Sequence, residues 1–452
     1  MKSKKKIQFS LLMLILGATL FLGSFSVSSS GYTAYSVDWT TPQQITNNSL
    51  WDQNPEISIN PRSTDQSVDL AYISNETDWE EIKYKDSSQF STDDAENVIE
   101  GTMFGINIGS TITSSDGIVY IIGIKDHEGF IIDNSGGTFS SPKNFSNNVG
   151  DIDAAIDEDD NIHIAWNNAT GDNVGVHYMY YDTSSDSFGE PVHIPDTNGN
   201  ESRVTIDAWN TWTNPDALTL ASVHIAFIDE DNYPYEPGNT DDLEIRYTSN
   251  SGNLNNFSTP VWVTSNTNND YSPSIAVDKK ETGVAHLAWV YHHVTGQYKV
   301  HYATSANWLA QKRPSAFSNS WKFHPDIIVD SNSIAHLVWS YDDDIKRTIQ
   351  YVFIDELTPS TEFTTPIPIQ NISAGTQDMG PTITRDSSDD IHVVWIGGLE
   401  EDAELYYAEG VTTIPTSGGG GGDSVPGYPL LLIAASVIPL IYIIGRRLKK
   451  SD

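Results

Sequence analysis

The chain has 452 residues, with 24 Lys and Arg, 61 Asp and Glu, and no Cys, which gives a formal net charge of −37. The lack of Cys excludes disulfides and thiolate metal sites, and so acidic a surface repels nucleic acid and anionic lipid. Hydrophobic residues make up 38% of the chain, enough for two or three domains or one large repeat architecture.

The N-terminus is MKSKKKIQFSLLMLILGATLFLGSFSVSSSG, in which lysines, an apolar run and small residues follow one another. This is the layout of a secretory signal. We therefore expect residues 1–30 to form a signal peptide, cleaved near Ser28–Ser30. An uncleaved N-terminal anchor is the alternative.

The exported part repeats one apolar phrase seven times, with a spacing of roughly fifty residues. An apolar stretch that ends in a turn precedes each copy, and a strand that ends in Tyr follows most copies. Helical periodicity is absent, and four short strands per unit is the pattern of a β-propeller blade. A pair of β-sandwiches is the rival, but it does not explain seven copies. The copies are SVDLAY (67–72), GIVYII (117–122), DNIHIAW (160–166), ASVHIAF (221–227), GVAHLAW (283–289), SIAHLVW (333–339) and DIHVVW (390–395).

The first segment of the exported chain looks like the end of a unit. VDWTTPQQIT (37–46) resembles the phrases that end four repeats, FSSPKNFS (139–146), FGEPVHIP (188–195), FSTPVWVT (257–264) and FTTPIPIQ (363–370), yet no repeat precedes it. The seventh repeat lacks such a phrase. We therefore predict an all-β, seven-bladed propeller over residues 37–415, made of four-stranded antiparallel blades and closed by the N-terminal strand.

Five of the repeats place a histidine and an aromatic residue at fixed positions. Equivalent positions in a propeller lie around a circle, so these histidines cannot converge on one metal ion. We expect them to be buried and to bond a turn carbonyl or the Asp six residues upstream, such as Asp157, Asp330 or Asp386. The structural repeat residues are His163, His224, His286, His336, His392, Trp166, Trp289, Trp339 and Trp395.

Two further patterns concern cations and sugars. Asp157, Asp159 and Asn161 are spaced like the start of a calcium loop, but Ile162 replaces the required glycine and Asn168 the closing Glu, so Ca²⁺ is only a weak candidate. No other cofactor is expected. Seven sequons are candidate glycosylation sites: Asn47, Asn75, Asn144, Asn168, Asn200, Asn256 and Asn371.

The repeated pattern D-x-x-x-I-H-h-x-W … Y resembles that of the sialidase-like, BNR-type β-propellers across most of the exported region. The resemblance implies that an enzyme of this kind would hold a carboxylate with three central arginines. Here Arg62 and Arg385 are expected at the lower side, Arg246 and Arg347 in third strands, and Arg313 in a lower loop. Only Arg203 is expected near the upper mouth, so we predict no sialidase activity.

Propellers commonly bind ligands with the loops between blades and between second and third strands. The loops predicted there carry aromatic, amide and carboxylate groups, which suit sugars or proteins. We predict a surface protein that binds extracellular glycans or proteins. The alternatives are a glycoside hydrolase or lyase and a polar surface without a ligand. The candidate binding residues are Trp51, Asp52, Arg203, Asp270, Tyr271, Tyr291, His292, His324, Tyr341 and Asp378.

The C-terminus predicts a membrane anchor. A Gly-rich linker (416–427) precedes an apolar run (428–445) near the minimum length for a transmembrane helix, and a basic tail (446–452) follows, which places the tail in the cytoplasm. The entry Pro426-Gly427-Tyr428 resembles the sorting tails of archaeal surface proteins. The exported part would then hold 16 basic and 60 acidic residues, a formal charge of −44.

Overall fold

The computed structural model describes most of the region predicted to be a propeller. The signal, linker, transmembrane and tail segments predicted above lie outside the described residues. Among the residues that are described, no helix is long and apolar enough to cross a membrane. The described residues are 35–48, 51–60, 66–75, 80–92, 94–102, 105–168, 174–198, 201–210, 221–230, 243–250, 253–279, 283–293, 296–314, 321–342, 346–355, 367–368, 378–398 and 403–413.

Contacts divide the chain into two units. The first unit is Val37–Thr412. The first unit consists of seven antiparallel sheets, one for each sequence repeat. Each inner strand contacts the inner strands of both neighbouring sheets, so the sheets close into a ring. The fold is a seven-bladed β-propeller, as the repeats predicted.

Within a blade the strands run from the axis outward in chain order. The inner strands are β3 (Trp51–Ser58), β7 (Ile106–Thr113), β11 (Val149–Ile156), β16 (Glu201–Asn210), β20 (Asn269–Val277), β24 (Trp321–Val329) and β28 (Met379–Arg385). The second strands are β4 (Asp69–Asn75), β8 (Val119–Lys125), β12 (Ile162–Asn168), β17 (Ala221–Asp229), β21 (Ala285–His293), β25 (Ile334–Asp342) and β29 (Ile391–Gly397).

The third strands are β5 (Glu80–Asp86), β9 (Glu128–Asp133), β13 (Gly175–Asp182), β18 (Glu244–Ser249), β22 (Gln297–Thr304), β26 (Arg347–Asp355) and β30 (Glu404–Thr413). The outer strands of blades 1 to 6 are β6 (Glu96–Thr102), β10 (Lys143–Asn147), β14 (Ser187–Phe188) with β15 (Val192–His193), β19 (Val261–Trp262), β23 (Asn307–Lys312) and β27 (Ile367–Pro368). A short 3-10 helix, Ser87–Gln89, follows β5.

The seventh blade takes its outer strands from the N-terminus. β1 (Ser36–Trp39) and β2 (Gln43–Gln44) both pair with β30. The Ile45 N–H donates to the Leu405 carbonyl at 2.8 Å, and the Thr46 hydroxyl donates to the Glu404 carboxylate at 2.5 Å. The N-terminal strand therefore closes the ring, as predicted from its resemblance to the repeat ends.

The second strands form the most buried layer of each blade. In β29 all seven residues are buried, because neighbouring blades cover both faces of the sheet, which favours continuous apolar residues over alternation. Trp289 illustrates the packing between blades. It lies in one apolar cluster with Ile245 of blade 4 and Ile275 of blade 5 and is fully buried. Burial of apolar area between blades therefore stabilises the ring.

Candidate functional site

Every inner strand carries a β-bulge near its first residues, the end that we call the upper end of the propeller. A bulge re-aims side chains and is frequent beside active sites. In five blades a bulged residue adopts the left-handed conformation, which is strained for residues other than glycine. These residues are Asn54, Arg203, Ser272, His324 and Gly380.

The bulges place Arg203 and His324 at the upper mouth of the channel. Both side chains are exposed to solvent. Although the His324 side chain is open to solvent, the protein atoms packed around it exclude part of the water. This partial desolvation, followed by the positive charge of Arg203, lowers the pKa of His324. Burial raises the pKa of the nearby Asp151 carboxylate, and Arg203 opposes that effect. A neutral imidazole, a guanidinium and a carboxylate thus lie at this mouth.

Aromatic side chains of blades 5 and 6 line the same mouth, and we call Tyr271, His292, Tyr298, Phe323 and His324 the mouth cluster. The His292 and Tyr298 rings stack, with centroids 4.1 Å apart and planes 7° apart. Tyr271 bonds to Tyr298, and its pKa is raised by burial and by Tyr298. Phe323 links Tyr298 to His324, at centroid distances of 5.9 Å and 6.4 Å. The cluster therefore presents aromatic ring faces and edges together with the polar atoms of its tyrosine and histidine side chains.

A second group, on the opposite face of blade 5, contains the cationic side chains of Lys299 and Arg313. We call Tyr291, His293, Lys299, His301 and Arg313 the basic cluster. Tyr291 stacks on His301 with centroids 4.7 Å apart, lies 6.2 Å from His293, and has the Lys299 ammonium 5.4 Å from its ring centre. Burial, then the charge of Arg313, lowers the pKa of Lys299 and that of His301 to about 3.

Lys322 lies between the two clusters. Its ammonium donates to the Tyr298 carbonyl at 3.2 Å and lies 5.4 Å from the centre of the Tyr341 ring. The side chain is 1% exposed. Burial, followed by the positive charge of Lys299, lowers the pKa of Lys322 to about 8. No local pattern around Lys322 marks it as a site residue, because its partners come from other strands.

The structure brings some predicted binding residues together and separates others. Arg203, Tyr271, His292 and His324 meet at the mouth, Tyr291 lies in the basic cluster, and Tyr341 covers Lys322. Trp51 is 42% exposed on blade 1, away from both clusters. Three predicted carboxylates are fully buried; they are Asp52, Asp270 and Asp378.

Asp270 and Asp378 differ in how their buried oxygens are satisfied. Asp270 accepts hydrogen bonds from Trp289 at 2.8 Å and Asn266 at 2.6 Å, and burial together with Glu244 raises its pKa. Within the described part of the chain neither oxygen of Asp378 has a hydrogen-bond partner, and burial raises the pKa of Asp378 to about 8. The sequence predicts loops at these residues, because polar inter-blade segments precede the inner strands.

The lower part of the axial channel is a cavity of about 410 Å³ lined by all seven inner strands. One layer carries a polar side chain from every blade, because the inner strands are in register. Burial raises the pKa of Glu56 in this layer and that of Asp153 to about 7. Asp153 accepts from the Ser110 hydroxyl at 2.6 Å and from the Ile206 N–H at 2.9 Å, so it ties three blades together. The layer consists of Glu56, Ser110, Asp153, Thr205, Ser274, Asp326 and Thr382.

The five repeated histidines are buried, and each one has a tyrosine hydroxyl as a partner, which the sequence pattern did not predict. In each case Nδ1 lies 2.6–2.8 Å from the hydroxyl of a third-strand tyrosine. His163 and His336 also place Nε2 3.2 Å and 3.5 Å from Asp157 and Asp330. If Nε2–H donates to Asp, Nδ1 must accept from the tyrosine. In His392 the corresponding distance to Asp386 is 3.9 Å, and His224 meets Ser222 instead. The tyrosines are Tyr178, Tyr247, Tyr302, Tyr351 and Tyr407.

The repeated tryptophans Trp166, Trp289, Trp339 and Trp395 are at most 2% exposed.

In the segment spaced like a calcium loop, the oxygens of Asp157 bond within its own turn. Its Oδ1 accepts from the N–H groups of Asp159 and Asn161 at 2.9 Å. The described part of the chain contains no group of three His, Asp or Glu placed to hold a metal ion.

The described arginines other than Arg203 lie away from the mouth, and one position differs from the prediction. Arg246 pairs with Asp229 at 2.8 Å, and Arg347 with Asp342 at 2.7 Å. Arg385 lies at the lower side, and Arg62 is outside the described residues. Arg313 was expected in a lower loop, but it follows β23 and influences Tyr291. The prediction failed because this strand lacks the proline phrase that marks other outer strands.

The sequons differ in exposure. Asn47, Asn144 and Asn256 are exposed, whereas Asn75 and Asn168 are half-buried. Asn200 and Asn371 lie outside the described residues.

Comparisons with known proteins support the fold. No family model matches the chain, and no curated protein matches it. An ulvan lyase from a new family of polysaccharide lyases shares 9% identity over 83% of this chain and 98% of its own, with a TM-score of 0.52.

Two other solved structures align less closely. An α-L-arabinanase of Penicillium chrysogenum has 10% identity over 82% of this chain and 98% of its own, with a TM-score of 0.43. A Hadza microbial sialidase has 10% identity over 75% and 76%, with a TM-score of 0.40. At such low identity a likeness shows only a fold. The ulvan lyase match thus supports a β-propeller fold.

Proposed function

We propose that this protein binds extracellular glycans at the upper mouth, as a cell-surface protein held by the C-terminal segment 428–445. The observation that carries the proposal is the mouth cluster, which gathers stacked rings from two blades beside Arg203. Aromatic faces stack on sugar rings, and polar tips bond their hydroxyls. Binding of a surface protein stays a prediction from the sequence.

The bulges support a preorganised site. Arg203, Ser272 and His324 are held in a strained backbone conformation, and rigid blades support them from below. Fixed side chains lose little entropy on binding, so more of the contact energy appears as affinity. The acidic exterior suits a soluble protein in contact with the medium.

We expect the full-length protein to retain glycans on a glycan array and His292→Ala to weaken binding of the retained glycan about tenfold, ~1.4 kcal/mol, through loss of a stacked ring. Leu309→Ala is the matched control, because Leu309 is 92% exposed on the outer edge of the same blade. Affinities are measured by isothermal titration calorimetry. Retention of no glycan at all would refute glycan binding.

A polysaccharide lyase is the second candidate function. A lyase needs a base for the proton next to a sugar carboxylate, a cation that stabilises the carboxylate, and an acid for the leaving oxygen. Neutral His324, Arg203 and the bonded Tyr271–Tyr298 pair supply these groups. The base takes the proton, a carbon–carbon double bond forms as the carbon–oxygen bond breaks, and a tyrosine protonates the leaving oxygen. A hydrolase needs two facing carboxylates. Among the described mouth residues named above, Asp151 is a single carboxylate, so the lyase fits this group better than a hydrolase.

Lyase activity predicts that the full-length protein releases unsaturated uronates from acidic polysaccharides, seen as a rise in ultraviolet absorbance. His324→Ala would lower that rate by about 100-fold or more, the usual contribution of a general base. Leu309→Ala would leave it unchanged. Absence of unsaturated product from every uronate polysaccharide, in a preparation that still binds glycans, would contradict the lyase candidate and leave binding standing.

A further inference from the structure

Positive charge is unevenly distributed over this acidic protein. Of the 16 Lys and Arg between the predicted signal and anchor, six fall within residues 299–347, which belong to blades 5 and 6. Three of these, Lys299, Arg313 and Lys322, lie close enough that Lys299 lowers the pKa of Lys322 and Arg313 lowers that of Lys299. The like charges therefore accumulate in one part of the upper face.

The basic cluster has a layered construction. Lys299 lies opposite Tyr291 in the β21–β22 ladder and is 4% exposed, and His301 is 2% exposed. Arg313 is exposed, and Tyr291 and His293 are half-exposed. A buried ammonium is screened less than an exposed one, so Lys299 adds positive potential behind the surface formed by the other three side chains.

The basic cluster adjoins the mouth cluster through one strand. Tyr298 and Lys299 are neighbours in β22, so their side chains point to opposite faces of the blade. Lys322 bonds the Tyr298 carbonyl from the next blade. A chain of sugars that stacks in the mouth cluster and continues outward over blade 5 would meet Arg313 and His293.

We infer that the basic cluster is a separate subsite that binds an anionic substituent, a carboxylate or a sulfate ester, on a glycan held in the mouth cluster. This inference rests on the proposed glycan binding. An Arg guanidinium bonds either group in a bidentate manner, and the stacked Tyr291–His301 pair holds the surface rigid. In an exported region of formal charge −44, the positive charges of Lys299 and Arg313 favour an acidic substituent at this place, because they attract it as the glycan approaches.

The test compares matched neutral, uronate and sulfated oligosaccharides bound to the full-length protein by calorimetry at low and physiological ionic strength. We expect an acidic form to bind at least tenfold more tightly than the neutral form and to weaken as salt rises. Arg313→Gln should reduce the ratio of acidic to neutral affinity about tenfold, as expected for the loss of a hydrogen bond to a charged group. It should leave the affinity for the neutral form unchanged. Comparing the affinities of the sulfated and the uronate oligosaccharides shows which anion the subsite prefers.

Lys125→Gln is the matched control, since it removes one positive charge from the upper end of blade 2, at the last residue of β8. It should change neither affinity nor salt dependence. Equal, salt-independent affinity for neutral and acidic forms would overturn the subsite while leaving glycan binding intact. An acidic preference that Lys125→Gln and Arg313→Gln reduce equally would overturn its location. Failure of every oligosaccharide to bind would refute the proposed function and the subsite with it.

Discussion

A protein that lacks residues 37–46 is expected to lose about 5 kcal/mol or more of unfolding free energy, because the ring then has an unfinished seventh blade. Val37 and Ile45 are 7% and 2% exposed, and burial of each contributes about 1.5–3 kcal/mol. The deletion also removes the ladder to β30 and the Thr46–Glu404 bond. The loss is comparable to the whole stability of many domains, so the variant should unfold near room temperature.

Thermal and denaturant unfolding, followed by circular dichroism, measures this effect. Ile45→Ala alone should cost about 2–4 kcal/mol, the usual range for a large-to-small core substitution. Gln44→Ala is the control within the same segment, since Gln44 is exposed, and it should change stability by less than about 0.5 kcal/mol. A truncated protein that melts like the intact one would show that the ring does not need this strand.

Asp378→Asn is expected to stabilise the protein at alkaline pH. Burial raises the pKa of this carboxyl from 3.8 to about 8, so the folded state holds a proton that the unfolded state releases. The stability that this group contributes is complete below about pH 4 and is lost as pH rises towards 8. Each pH unit in that window costs about 1.4 kcal/mol, which makes about 2 kcal/mol between pH 6.5 and 8. Asparagine carries no charge and avoids this loss.

The measurement is the free energy of unfolding of the parent and the variant at several pH values between about 6.5 and 8. Buried His224, whose pKa burial lowers to about 4, acts in the opposite direction, because its contribution is lost as pH falls from 6.5 to 4, below the chosen window. Asp159→Asn is the control, since Asp159 is exposed. A variant whose stability follows the parent at every pH would mean that Asp378 is not protonated in the folded protein.

Much of the fold could be predicted because each blade corresponds to one contiguous repeat of the sequence. The apolar second strands, such as the one around Trp395, lie between neighbouring blades and therefore read as continuous apolar runs. The orphan N-terminal phrase identified the closing strand, because a blade that lacks an outer strand must take one from elsewhere. The fourth strand of blade 5 was harder to recognise, since it lacks the proline phrase, and Arg313 was misplaced with it.

The bulges were missed although the sequence carries a signal for them. In four blades a proline follows the left-handed residue near the start of the inner strand, as in Asn54-Pro55 and His324-Pro325. Proline inside a strand marks a bulge, since it cannot donate to the ladder. A search for such pairs would have pointed to His324 and Ser272 as residues re-aimed by the backbone.

The number of blades, the strand order, the closure and the burial of the repeated His and Trp residues follow from the chain's local pattern and its repetition. Which polar groups meet depends on how separate blades assemble around the axis. Arg203 and His324 come from blades 4 and 6, and Lys322 of blade 6 donates to the Tyr298 carbonyl of blade 5. The same assembly also decides that Asp52, Asp270 and Asp378 are buried, since the exposure of a polar residue before an inner strand depends on how the neighbouring blade packs over it.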